Sequence, residues 1–322
     1  MVIYEADGSL PANQAVRVAT AEGGRPKRAL VLAAFATVYL IWGSTYLAIR
    51  YAIQTLPPFL MAGSRFIVAG AALALWARAS GAARPTRAQL RSACVVGALL
   101  FLGGNGGVVW AEQYLPSGVA ALVVATEPLW IVLLNWARRG GARPGRGVLV
   151  GLLLGFAGVW LLVESNASAG GAAGSRALLA TVVVMGASVS WAVGSLYSVR
   201  ATFPSSPLLS AGTQMLAGGA LMIAAGTITG EWKSFDAAHV SALSAVALLY
   251  LIVCGSVVAF TAYSWLLRTV TPARASTYAY VNPLVAVLLG WALAGEELTT
   301  RTILAAVVIT ASVVVIVTRK FG

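Results

Sequence analysis

Charge is what this sequence has least of. Only 10% of its 322 residues are Asp, Glu, Lys or Arg, while 59% are hydrophobic. Soluble domains carry roughly 25% charged residues. A surface cannot be kept polar on that supply, so water is excluded as the main solvent. Lysine is nearly missing. Lys27, Lys233 and Lys320 are the three, and none stands in the Gly-x-x-x-x-Gly-Lys-Ser/Thr loop that cradles nucleotide phosphates. That excludes a P-loop pump, so energy must come from an ion gradient or the substrate's own gradient. The single histidine, His239, lies beside Asp236 in a polar stretch and offers no Ser–His pair for intramembrane proteolysis. No His/Cys/Asp/Glu cluster provides metal ligands, and no motif calls for a cofactor. Cys94 and Cys254 each sit in an apolar run and make no disulfide framework. Residues 1–28 lack the apolar core of a signal peptide and read as a disordered cytoplasmic tail.

What is present is a series of long apolar runs. Crossing the hydrocarbon core takes about 20 apolar residues. Ten runs qualify, at roughly 29–50, 57–78, 92–111, 116–137, 147–164, 177–199, 207–229, 240–267, 274–295 and 302–318. The gaps between them are short and rich in Pro, Gly, Arg and Ser. Lipid offers no hydrogen-bond partners to the backbone, so helices are the natural form. The ten-residue alternation of a β-barrel is absent. The net charge of +12 is spread through the gaps and forms no stripe, which argues against nucleic acid. With the N-terminus inside, 17 basic residues fall on the inner side and four on the outer, leaving Arg65 within the second span. Excess Lys and Arg mark the cytoplasmic side, so both termini are expected there.

The chain also repeats. A shift of 155 sets TEPLWIVLLNW (126–136) on VNPLVAVLLGW (281–291), pairing Pro128 with Pro283 and Trp136 with Trp291. It also pairs Trp110 with Trp265. A shift of 151 pairs Gly43, Ser44 and Tyr46 with Gly194, Ser195 and Tyr197. The expected domains are a first five-helix repeat, 29–165, and a second, 166–322. Five is odd, so the second enters the membrane inverted. Inverted repeats are an architecture of secondary transporters, with the substrate site near mid-membrane between them.

These segments resemble the drug/metabolite transporter superfamily in its ten-helix EamA-type branch. The clearest match is the Pro-containing ninth span, the Gly295-Glu296-x-Leu298-Thr299 turn and the small-residue tenth span. WGSTYLAIR (42–50) and PPFLMAGSRF (57–66), with Arg65 where the family often has Arg, add to it. Within the branch the chain is similar to YddG-type exporters of aromatic and other neutral amino acids. The resemblance implies an inner-membrane carrier.

One carboxylate stands out. Glu127 lies 11 residues past Pro116, about 16 Å deep at ~1.5 Å per residue. A charge there costs roughly 3 kcal/mol, so such residues usually face a cavity or partner. Pro128 and Pro283 each remove a backbone N–H and are expected to kink their helices, displacing the carbonyls of Val124 and Ala279. Asn282 stands at the repeat position of Glu127. Two jobs are open to Glu127: binding a substrate ammonium group, or carrying a coupling proton. A static pair with the buried charge Arg65 is the competing structural reading. Around this level the candidate substrate-binding residues are Glu127, Asn282, Tyr278, Asn105, Trp42, Tyr46, Trp191, Tyr197, Tyr263 and Trp110, with Tyr278, Asn282 and Asn105 expected at mid-depth. Glycines 103, 104, 106 and 107 around Asn105 read as a site of close helix approach.

The expected function is secondary-active export of small amphipathic metabolites, amino acids including aromatic ones foremost. One five-helix half would rock against the other around a midplane cavity. The alternatives are export of drugs or other metabolites (aromatic cations, purines), or a passive channel or facilitator. A proton is a candidate coupling ion, and the sequence leaves monomer and dimer both open.

Overall fold

The computed structural model describes residues 28–137, 144–167, 171–270 and 277–320. The expected tail lies almost wholly outside them. Among the described residues the chain is helical, with no strand. The helices are α1 (Arg28–Ala52), α2 (Pro58–Ala79), α3 (Arg87–Ala111), α4 (Ser117–Ala137), α5 (Arg146–Ala167), α6 (Gly171–Ser198), α7 (Pro207–Ile228), α8 (Ala242–Leu267), α9 (Tyr278–Ala294) and α10 (Thr300–Lys320). Seven are long and apolar enough to cross a membrane. The apolar stretches of α5, α9 and α10 are shorter.

Helix starts show how the termini are satisfied. Thr86 and Gln89 close a capping box on α3, while Ser206 and Ser241 cap α7 and α8. Pro57 and Pro116 precede α2 and α4 and give neither a side-chain cap. Two glutamates distant in sequence supply it. Glu231 accepts from the backbone N–H of Phe59 at 3.1 Å and of Leu60 at 2.9 Å. Glu296 accepts from the N–H of Ser117 at 2.7 Å, its hydroxyl at 2.8 Å and the N–H of Gly118 at 3.1 Å. Each glutamate follows a glycine in the left-handed region, Gly230 at φ +80° and Gly295 at φ +64°. That conformation costs a glycine little and turns the chain sharply at a helix end. Gly295 reverses the chain, Glu296 caps α4, Leu298 packs on the core and Thr299 caps α10 by accepting from the N–H of Thr302 at 3.1 Å.

Two helices widen in the middle. α3 carries a π segment at Gly97–Gly106 and α8 one at Leu251–Val258. The 155-residue shift carries Gly97 to Ile252, inside the second. In both, a side chain donates to the carbonyl five residues back: Asn105 to Leu100 at 3.3 Å and Ser256 to Leu251 at 3.0 Å. π segments are rare and recur at functional sites.

Glycines set the closest crossings. A Cβ on Gly70 would lie 2.8 Å from the carbonyl of Gly212, and one on Gly63 3.0 Å from that of Gly219; the reverse contacts are equally tight. α2 and α7 therefore pack antiparallel with backbones nearly touching. α5 and α10 behave likewise, Gly151 against Ile316 and Gly158 against Ile309. Both pairs join one half of the sequence to the other. The buried apolar side chains follow the same division. One core draws on α1, α2, α3, α7 and α8, the other on the end of α3 with α4, α5, α6, α9 and α10. The two halves of the sequence are thus interleaved into two lobes that each take helices from both.

Candidate substrate site

The candidate site lies at the seam between the lobes, and its central feature is a break in α4. The first part ends at Val124, and Ala125 and Thr126 form a turn. Both the N–H and the hydroxyl of Thr126 donate to the Val123 carbonyl, at 3.1 and 2.6 Å. A new helical segment begins at Glu127 and runs to Ala137. The Glu127 carboxylate thus stands at a helix N-terminus, where the dipole favours negative charge. Pro128 is the second residue of this segment, where its missing N–H would have had no intrahelical partner anyway. Pro283 lies inside an uninterrupted α9. The two prolines thus occupy different positions in their helices: one starts a segment and the other interrupts a ladder.

Glu127 lies ten residues from the start of α4, and Trp42 ten from the end of α1, both about 15 Å along their helices. Trp42, Tyr263 and Tyr278 form an aromatic group, with ring centroids 5.1 Å (Trp42–Tyr263), 5.0 Å (Trp42–Tyr278) and 5.4 Å (Tyr263–Tyr278) apart. The Trp42 indole N–H donates to the Gly255 carbonyl in the α8 π segment at 3.1 Å. Glu127 is within electrostatic reach of Tyr46, Tyr263 and Tyr278. Four helices thus bring Trp42, Tyr46, Glu127, Tyr263 and Tyr278 together. Tyr278 is the first residue of α9. Asn282, one turn further, is 8% exposed, and its side-chain oxygen has no hydrogen-bond partner. α1 crosses here: a Cβ on Gly43 would lie 3.2 Å from the Asn282 carbonyl oxygen.

The remaining sequence-predicted residues lie elsewhere. Asn105 turns its amide on its own helix. Trp191 of α6 packs where a Cβ on Gly104 would meet its ring at 2.7 Å, and Gly103 and Gly107 face α6 as well. Trp110 packs on Tyr114, centroids 5.2 Å apart, at the far end of α3. Tyr197 is exposed in a surface cleft of about 470 Å³ with Arg91 and Arg200. The 151-residue shift paired it with Tyr46, but the two occupy different surroundings.

Arg65 forms no ion pair with Glu127. It is 6% exposed and donates from Nε to the Ser256 hydroxyl at 2.9 Å. Its charge is felt by Glu112, a residue the sequence reading passed over. Glu112 follows α3 directly, is 3% exposed, and has both carboxylate oxygens buried without a hydrogen-bond partner. Burial pushes its carboxyl well above the ordinary carboxylate range. Glu296 adds to that, and Arg50 and Arg65 oppose it. Next to it, Arg50 lies 3.5 Å from Glu296 and reaches the Leu115 carbonyl at 3.4 Å. Glu112 stands just past the end of an apolar run, where a charge draws no notice. The one available signal was scarcity, since the chain has only ten acidic residues.

The chain has counterparts among known proteins. The EamA-like transporter family model matches twice, over residues 29–164 and 178–318. An uncharacterized inner membrane transporter of Escherichia coli K12, YedA, is 40% identical over 285 residues, covering 88% of this chain and 89% of that one. A transporter of Bacillus subtilis, YvbV, is 25% identical over 91% of this chain and 92% of its own. A probable amino-acid metabolite efflux pump of E. coli K12 is 27% identical over 51% of each chain. A solved crystal structure superposes with a TM-score of 0.59 at 20% identity, covering 90% of this chain and 97% of that one, which speaks for the fold alone. With the family model matched in both halves and a relative aligned over most of both lengths, the chain belongs to the EamA-like transporter family of the drug/metabolite transporter superfamily, as a multi-pass inner-membrane transporter.

Proposed function

We propose that this transporter exports small amphipathic metabolites, amino acids including aromatic ones foremost, by alternating access at the lobe seam. The observation that carries the reading is Glu127 at the break of α4, facing Tyr46, Tyr263 and Tyr278 beside Trp42. A carboxylate suits an ammonium group and the aromatic walls suit an apolar or aromatic body. Polyanionic cargo would need several buried basic groups, and Arg65 is already bonded to Ser256. The relative named as a probable amino-acid metabolite efflux pump supports the same substrate class.

In this reading all ten helices span the membrane as two inverted repeats, with both termini cytoplasmic. The antiparallel, reciprocal glycine contacts of α2 and α7 support the inversion. The 17-to-four split of basic residues supports the orientation, and places Glu231 and Glu296 at the outer end. The moving bodies are the two lobes, since the α2–α7 and α5–α10 contacts lock helices of both halves together.

Counterflow in proteoliposomes tests this. Vesicles loaded with unlabelled phenylalanine should accumulate labelled phenylalanine saturably when they hold the protein, and Glu127→Gln should abolish it. Non-saturable flux would make the protein a facilitator. Silence with every amino acid, but counterflow of an aromatic cation or a purine, would move the substrate class.

A further inference from the structure

The transport reading gives Glu112 nothing to do, yet its position is costly. An ionised carboxylate held out of water without hydrogen bonds is strongly disfavoured unless opposite charges compensate. Among the described residues three charged groups face it: Arg65 from α2, Arg50 from α1 and Glu296 from the turn after α9. Tyr46 of α1 is its titratable neighbour on the side of Glu127. With Glu112 ionised the four charges cancel, and with Glu112 protonated the group carries one positive charge.

The members lie on different lobes. Arg65 and Arg50 belong to helices of one, and Glu296 caps α4 of the other. Arg65 spends its Nε on Ser256 and Arg50 is engaged with Glu296. Each guanidinium has five N–H donors, so both keep donors in reserve for a carboxylate that moves closer. Glu112 is therefore balanced between two forms: ionised and held by the two arginines, or neutral and released from them. The same arginines would repel a substrate ammonium group, whereas Glu127 has aromatic rings about it and, among the described residues, no arginine.

We propose that Glu112 is the proton-binding site of this transporter, leaving Glu127 to the substrate's ammonium group. The proposal rests on the transport reading above. A proton from the outer water forms an O–H bond on one Glu112 oxygen, and the carboxylate goes from one negative charge to none. The arginine–carboxylate attraction across the seam is lost, and the lobes are freed to exchange positions. When the site opens to the other side the O–H bond breaks, the proton returns to water and the charges again cancel.

Two measurements on the full chain in liposomes test it. The first is pH-difference infrared spectroscopy, which needs no substrate. A carboxylic C=O band should appear on acidification, vanish in Glu112→Gln and persist in Glu127→Gln. The second is transport. Glu112→Gln should keep phenylalanine counterflow and lose the acceleration of efflux by an inward-directed proton gradient. A band unchanged in Glu112→Gln, or a gradient response that survives in it, overturns the proposal. If Glu112→Gln does not fold, Glu112→Asp decides: the band must move, and an unmoved band overturns the assignment. Failure of wild-type counterflow alone would strike the substrate reading and leave the infrared result to stand or fall separately.

Discussion

Glu296 and Ser117 are 179 positions apart in the chain, yet one carboxylate oxygen accepts from both the amide and the hydroxyl of that serine. The contact closes the start of α4, ten residues above Glu127. Glu231 does the same for α2. Removing a cap of this kind costs about 0.5–2 kcal/mol. Glu296→Ala and Glu231→Ala should each lower the thermal midpoint in detergent. Because the two caps share no partner, the double variant should lose the sum of the two. A double variant no worse than either single would show that the caps do not act separately.

The glycine crossing of α2 and α7 makes a steric prediction. Gly70→Leu places a side chain where the Gly212 carbonyl already stands, and overpacking of this sort costs about 1–3 kcal/mol or more. The protein should elute as aggregate or unfold markedly earlier. Gly186→Ala is the control: nothing lies within 4 Å of its added Cβ, and alanine is the better helix former. It should match or exceed the wild type in thermal stability.

Trp42 ties the aromatic group to the α8 π segment through its indole N–H. Trp42→Phe keeps an aromatic ring and loses that hydrogen bond, worth about 1 kcal/mol. Phenylalanine counterflow should weaken in affinity more than in maximal rate. Tyr197→Phe, in the surface cleft, should leave both unchanged. Equal effects of the two substitutions would dissolve the distinction between the seam and the cleft.

Asn282 lies on α9 where α1 crosses it. A cysteine placed there, with Cys94 and Cys254 replaced by alanine, should react with a membrane-impermeant thiol reagent from either face of oriented vesicles, and substrate should shift the balance. Reaction from one face under every condition would contradict alternating access at this level.

The helical class and the position of every apolar helix were legible in the sequence, because runs of that length have one stable form in lipid. Glu127, Trp42, Tyr263 and Tyr278 stood in the sequence as candidates among several polar or amphipathic groups of their runs, and the fold brings these four together. Other features left no trace. The π segments of α3 and α8 sit in stretches apolar on all sides, where a change from 3.6 residues per turn alters no pattern. Glu112 stands at the edge of its run, and only the fold puts Arg65 and Arg50 around it. Tyr197 was singled out by its repeat position, but a repeat conserves sequence position and not surroundings, and it lies in an exposed cleft. The turn after α9 was recognisable as a motif, yet its purpose depended on Ser117, which no local reading connects to it. The second such turn, Gly230-Glu231, went unread for the same reason.

The two Gly-Glu turns also order the protein's birth. Both stand in the second half of the chain and both complete helices of the first. When α2 and α4 leave the ribosome, the carboxylates that finish them have not yet been made. Their leading amides must wait on water until residues 231 and 296 arrive. The first half made alone should therefore be a poor substrate for assembly and a good one for proteolysis, and adding the second half as a separate chain should rescue it.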